Sequence, residues 1–74
     1  VNKKLIAKKL RFLRGEHTQV EVAQALGITQ PAYAMYESGS RVPIDEIKIR
    51  IARLYGTTVQ AIFFDDIEEE LWED

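Results

Sequence analysis

Apolar residues recur at helical rather than strand spacing through most of this chain. Ile6, Leu10 and Leu13 fall at i, i+4 and i+7 with Leu5 and Phe12 beside them, so the stretch from Asn2 to Arg14 predicts an amphipathic helix that Gly15 ends. Lys4, Lys8 and Arg11 repeat that spacing on the opposite side, as a solvated or an anion-facing stripe would. Thr18-x-x-Glu21 is a capping box, and it opens a second helix whose inner side is Val22, Ala23 and Leu26. Gly27 suits a left-handed residue that turns the chain sharply, and Ile28 can plug the corner behind it. Thr29 is a second N-cap, with Pro31 in the first turn where a missing N–H costs nothing. The third helix then spans about Gln30 to Ser38, stopped by Gly39.

Pro43 or Ile44 starts a fourth helix that ends before Gly56. Residues Ile47 to Ile51 alternate as a strand would, but Ile47, Ile51 and Leu54 also fit a helix face. Glu46 and Arg50 sit at i, i+4, and no convincing partner strand exists elsewhere in the sequence, so helix is the expectation. Thr58 caps a short fifth helix through Val59, Ile62 and Phe63. Asp66 is placed to cap a short sixth one that carries Ile67, Leu71 and Trp72. The fold class expected is all-α, a compact five-helix bundle.

Length and composition narrow what such a bundle can do. Seventy-four residues make one small domain with a thin core, for which a partner subunit is a common supplement. There is no cysteine, which excludes disulfides, thiolate zinc sites and cysteine nucleophiles, and the single histidine, His17, cannot build a metal site alone. No apolar run approaches the ~20 residues of a membrane span and no signal-peptide pattern opens the chain, so a soluble, cytoplasmic protein is expected. No catalytic constellation can be assembled, so neither an enzyme nor a cofactor is expected.

Charge changes the picture more. The net charge of -2 conceals a division: residues 1–64 hold ten bases against five acids, whereas residues 65–74 hold seven acids and no base. Charge acts within a Debye length of ~8–10 Å, so a basic body (1–64) and an acidic extension (65–74) behave as separate objects. Within the extension, Phe64, Ile67 and Leu71 share a helical face, which predicts that it docks on the body or on a second subunit and buries Trp72.

Two short helices joined by a three- or four-residue turn need a small residue where they cross and a glycine at the bend, and Ala23 and Gly27 stand at those offsets from Gln19. Here the chain resembles the phage Cro and repressor (Xre-like) family of helix-turn-helix domains, with the lambda-repressor-like five-helix fold. The resemblance runs from about Leu10 to Phe63. It is carried in order by LRFLR, TQVEVAQALGI, YAMYESGSRVP and IARLYGTTVQAIF. The connection Gly15 to His17 is shorter than the family's usual one.

This resemblance implies a sequence-specific DNA-binding transcriptional regulator, a small repressor in kind, which inserts its third helix into the major groove of double-stranded DNA as a homodimer. Tyr33 and either Tyr36 or Glu37 turn inward, which leaves Gln30, Pro31, Ala34 and Met35 outward to read bases, with Ser38 beside them. Glutamine can pair with adenine N6/N7, and small apolar groups can meet a thymine methyl. Gln19, Thr29, Ser40 and Arg41 are the phosphate candidates, with Lys8 and Arg11 as further ones. The resemblance also implies a partly buried structural ion pair between Arg14 and Glu37. The alternative is a protein-interaction module that reuses the same bundle, with helix 3 and the acidic extension binding another protein.

Overall fold

Three of the helices begin where the sequence supplies a side-chain oxygen. Asn2 Oδ1 accepts the Leu5 N–H at 3.0 Å, Thr18 Oγ1 the Glu21 N–H at 3.0 Å and Thr29 Oγ1 the Ala32 N–H at 3.3 Å. These caps open α1 (Lys3–Arg14), α2 (Gln19–Leu26) and α3 (Gln30–Ser38) in the computed structural model, which describes residues 2–65. At α2 the capping box is reciprocal, because the Glu21 carboxylate accepts the Thr18 N–H at 2.7 Å. The fourth helix, α4 (Asp45–Leu54), begins after Ile44, which has no oxygen to offer. Its first turn instead carries Asp45 and Glu46, negative charges that suit the positive end of a helix. Residues 47–51, which alternate like a strand, lie wholly inside α4, and no strand occurs among the described residues.

The fifth helix, α5 (Gln60–Phe64), is a single wide π-type turn, with Thr58 Oγ1 accepting the Ala61 N–H at 3.0 Å. The sixth helix expected around Ile67 to Trp72, and the docking of that segment, fall outside the described residues.

One device ends both α2 and α3. Gly27 and Gly39 take φ values of 74° and 79°, and each hands two N–H groups back to the helix. Gly27 N–H reaches Gln24 O and Ile28 N–H reaches Ala23 O; Gly39 N–H reaches Tyr36 O and Ser40 N–H reaches Met35 O. Behind the first of these ends, Arg50 Nη1 donates to Leu26 O at 3.1 Å, so α4 closes the carbonyl end of α2.

The core forms from the inner faces of all five helices: Ile6, Leu10, Val22, Leu26, Tyr33, Ile47, Ile51, Ile62 and Phe63 are its larger members. Burying each such side chain contributes about 1.5–3 kcal/mol. Small residues allow the crossings: Ala23 is buried between α2 and its neighbours, and a Cβ added at Gly39 would sit 3.5 Å from Lys3 O, so α1 and the end of α3 approach closely.

Two residues of α1 depart from the stripe read in the sequence. Phe12 is 46 % exposed, whereas Lys9 is 1 % exposed. The lysine is buried because its ammonium closes the last turn of the fold: Nζ donates to Ala61 O and to Asp65 O, each at 2.6 Å. Charged hydrogen bonds to these carbonyls offset its desolvation. Lys9→Met keeps the packing of the stem and removes both bonds. It should lower stability by about 2 kcal/mol, read as a lower urea midpoint with an unchanged slope; an unchanged midpoint contradicts this role.

Candidate nucleic-acid interface

The outer face of α3 meets the first turn of α2 through a chain of side chains that begins in the interior. Glu37, on the inner side of α3, is 3 % exposed. A carboxylate there must be paired and hydrogen-bonded, because an isolated buried charge costs many kcal/mol. Arg14, at the end of α1, meets it with two parallel bonds, Nε to Oε2 at 2.7 Å and Nη2 to Oε1 at 3.0 Å. The third arm of the same guanidinium donates from Nη1 to His17 O at 2.8 Å, which holds the short Gly15–His17 connection in place. Arg11 Nη1 donates to the Glu37 backbone carbonyl at 2.6 Å, so it serves the C-terminal end of α3 while staying at the surface.

From Glu37 the chain runs outward. Gln19 Nε2 donates to Glu37 Oε1 at 3.0 Å, and Gln30 Nε2 donates to Gln19 Oε1 at 2.8 Å. The direction is forced. A carboxylate only accepts, so Gln19 must present its NH₂ group inward and its carbonyl outward; Gln30 must then give one N–H to that carbonyl. What Gln30 has left is its Oε1 and its second N–H, an adjacent acceptor and donor. Gln19 and Gln30 are the first residues of α2 and α3, so two helix N-termini, with their unpaired N–H groups, converge at this point.

The other outward residues of α3 are distributed as the helical spacing requires. Pro31 and Ser38 are exposed, Met35 is 39 % exposed and Ala34 is half-buried, while Tyr33, Tyr36 and Glu37 all turn inward. The Tyr33 hydroxyl lies 2.9 Å from that of Tyr55, and burial, then this hydrogen bond, pushes the Tyr33 phenol far above its usual range.

Among the phosphate candidates, Thr29 uses its oxygen as a cap and keeps its hydroxyl proton, and Gln19 keeps one N–H. Ser40 is more committed. Ser38 Oγ donates to Met35 O at 3.1 Å, so the 2.7 Å contact between the two hydroxyls takes the proton of Ser40. As bonded here Ser40 has only lone pairs to offer, and it would have to release Ser38 to donate to a phosphate. Arg41 is exposed, and its guanidinium makes no hydrogen bond or ion pair among the described residues. No group of metal-ligating side chains occurs among them either, and no helix there is long and apolar enough to cross a membrane.

Burial pushes the Glu37 carboxyl up, but the hydrogen bonds from Arg14 and Gln19 and the charge of Arg14 outweigh it and hold the group below the usual carboxylate range. A carboxyl depressed in the folded state stabilises the fold fully above its unfolded value of ~4.3, and that stabilisation is lost as pH falls through the folded value. Thermal stability should therefore be flat above pH ~5 and fall below pH ~4. Glu37→Gln should cost about 3 kcal/mol at neutral pH, the low end for a broken buried pair because Arg14 keeps 23 % of its side chain in solvent. The variant should also lose part of the acid slope. Parallel melting-temperature profiles for the two proteins would contradict this assignment.

A helix-turn-helix family match spans residues 6–62. An uncharacterized HTH-type transcriptional regulator of Archaeoglobus fulgidus is 36 % identical over 56 residues, covering 76 % of this chain and 78 % of that protein. YqaE of Bacillus subtilis, also an uncharacterized HTH-type transcriptional regulator, is 35 % identical over 57 residues, which is 77 % of this chain but 49 % of that protein. RstR of Vibrio cholerae, a cryptic phage CTXphi transcriptional repressor, is 32 % identical over 72 residues, 90 % of this chain and 65 % of that protein. The chain thus spans about half to four-fifths of the length of these relatives. No solved structure matches it. Since most of α1, all of α2 to α4, the turn at Gly27 and most of α5 fall inside the matched span, the chain belongs to the helix-turn-helix family.

Proposed function

We propose that this domain is a sequence-specific DNA-binding transcriptional regulator, a small repressor that acts by occupying its site, without catalysis, in the cytoplasm. The observation that carries the reading is the oriented amide of Gln30. Its remaining acceptor and donor match the N6 amino group and N7 of adenine, on a helix face without a single acid before the buried Glu37. Pro31, Ala34 and Met35 offer apolar contact to thymine methyls along the same face. Gln19 and Thr29, at the two converging helix N-termini, suit phosphates, and Arg41 suits one beyond the end of α3.

The charge of the body supports this reading. Residues 2–65 carry ten bases and six acids, and the one acid of α3, Glu37, is already matched by Arg14. The names of the three relatives point the same way. A single module covers little DNA, so we take the active form to be a homodimer whose two α3 helices lie ~34 Å apart on one face of the duplex.

Selection from a random-sequence duplex library tests base reading and symmetry together. The wild type should return a two-fold symmetric site. Gln30→Ala should lose ~1–3 kcal/mol on that site and blur one or two positions in each half. Arg41→Ala should weaken all sequences alike and reduce the salt slope by ~0.9. If both variants weaken every sequence uniformly, Gln30 does not read a base; if affinity is insensitive to salt, the partner is not DNA.

A further inference from the structure

Lys4, Lys8 and Arg11 of α1, with Asn2, Ala7 and Ser38, line an open groove of about 420 Å³. None of its lining residues is acidic, and Arg11 gives one N–H to Glu37 O while four of its five donors remain. The sequence beyond Asp65 has the complementary composition. Residues 66–74 carry six acids, no base, and the apolar Ile67, Leu71 and Trp72. We propose that residues 66–74 of this chain dock across Phe12 into the Lys4–Lys8–Arg11 groove, their acids on the three cations and their apolar side chains on Phe12.

Three observations make the groove the destination. The chain leaves the described part of the fold tied to α1 itself, since Lys9 Nζ holds the Asp65 carbonyl at 2.6 Å. Viewed down α1, Lys9, Phe12, Lys8, Lys4 and Arg11 follow one another in a single rotational direction, in steps of roughly 20–60°. A segment starting at Lys9 therefore meets an aromatic ring that is 46 % exposed before it meets the cations. Nine residues reach up to ~30 Å when extended, ample for a path part-way around one helix. A second groove, of about 380 Å³, is lined by Leu13, Val22, Ala25, Leu54 and Tyr55 with His17 and Glu21, so it has neither lysine nor arginine to attract such a segment.

The docking stands on the groove and the sequence alone; its consequence rests on the DNA-binding reading. Ser38 belongs both to the groove and to the outward face of α3, so the docked carboxylates lie beside that face and repel phosphate. The segment then acts as an internal competitor of DNA. A groove filled in about nine molecules of ten lowers apparent DNA affinity about tenfold.

Trp72 is the only tryptophan, so its fluorescence in the full chain reports the docking without DNA. At low salt its emission should be blue-shifted and protected from acrylamide. It should turn red and quenchable as salt is raised, and be so at every salt concentration in Lys4→Gln/Lys8→Gln. Ile67→Ser/Leu71→Ser leaves the charge unchanged, so a gain of about tenfold in its DNA affinity would come from undocking rather than from lost repulsion. Emission that ignores both salt and the lysine changes overturns the proposal. So does emission that depends on protein concentration, because the segment then binds a second copy. Lysine variants that weaken DNA binding while leaving Trp72 unmoved would make the groove a phosphate contact instead. Loss of DNA binding by the wild type, with Trp72 behaving as expected, would remove the regulator reading and leave the docking intact.

Discussion

A carboxylate placed where water cannot reach it governs this fold. Glu37 lies on the inner side of α3, and its charge is tolerable only because Arg14 meets it with two bonds and Gln19 with a third. Those partners come from α1 and α2, so one residue of α3 fixes the position of that helix against two others. Tyr33 and Tyr36 seat α3 in the core, but apolar packing is non-directional and does not by itself fix how the helix is turned. Directional bonds to a charge do fix it. The rigidity of the outer face is in this sense made on the inner one.

The same constraint reaches the surface through the two glutamines. Each amide has a donor end and an acceptor end, and a carboxylate at one end of the chain leaves a single consistent arrangement. Gln30 therefore arrives at the surface already oriented, with less side-chain freedom to lose when a base edge binds it. Placement beside two helix N-termini, on a body whose bases outnumber its acids, adds attraction for phosphate without adding specificity. On the proposed DNA-binding reading, affinity and selectivity would then arise from different residues of one small face.

Much of this was legible in the sequence because it depends on neighbours along the chain. The capping box at Thr18 and Glu21, the cap at Thr29 and the bends at Gly27 and Gly39 are local, and the structure has each of them where the sequence puts it. Helical spacing also sorted Tyr33 from Pro31, but it left Tyr36 and Glu37 as alternatives, and both turn inward. Contacts between distant residues were not legible. Lys9 reads as one more base among six in the first fourteen residues, and nothing near it announces that Ala61 and Asp65 will offer it carbonyls. The bond between Gln19 and Gln30 spans two helices, so no periodicity predicts it, although a glutamine at the first position of each helix was visible. Ile44 shows the limit of caps: without a side-chain oxygen at the boundary, the start of α4 could be placed only to within a residue or two. The π-type form of α5 left no mark in the pattern, since Val59, Ile62 and Phe63 suit an ordinary helical turn equally well.

The central claim is that Gln19 orients Gln30 for base contact, and a double-mutant cycle measures that link directly. Affinity for the selected DNA site would be compared among the wild type, Gln19→Ala, Gln30→Ala and the double variant. The relay predicts that the two losses are not additive, with a coupling of about 1 kcal/mol, because removing Gln19 already frees the amide that Gln30→Ala would remove. Losses that add to within ~0.3 kcal/mol would mean that the two residues act independently, and the oriented-amide account would be wrong.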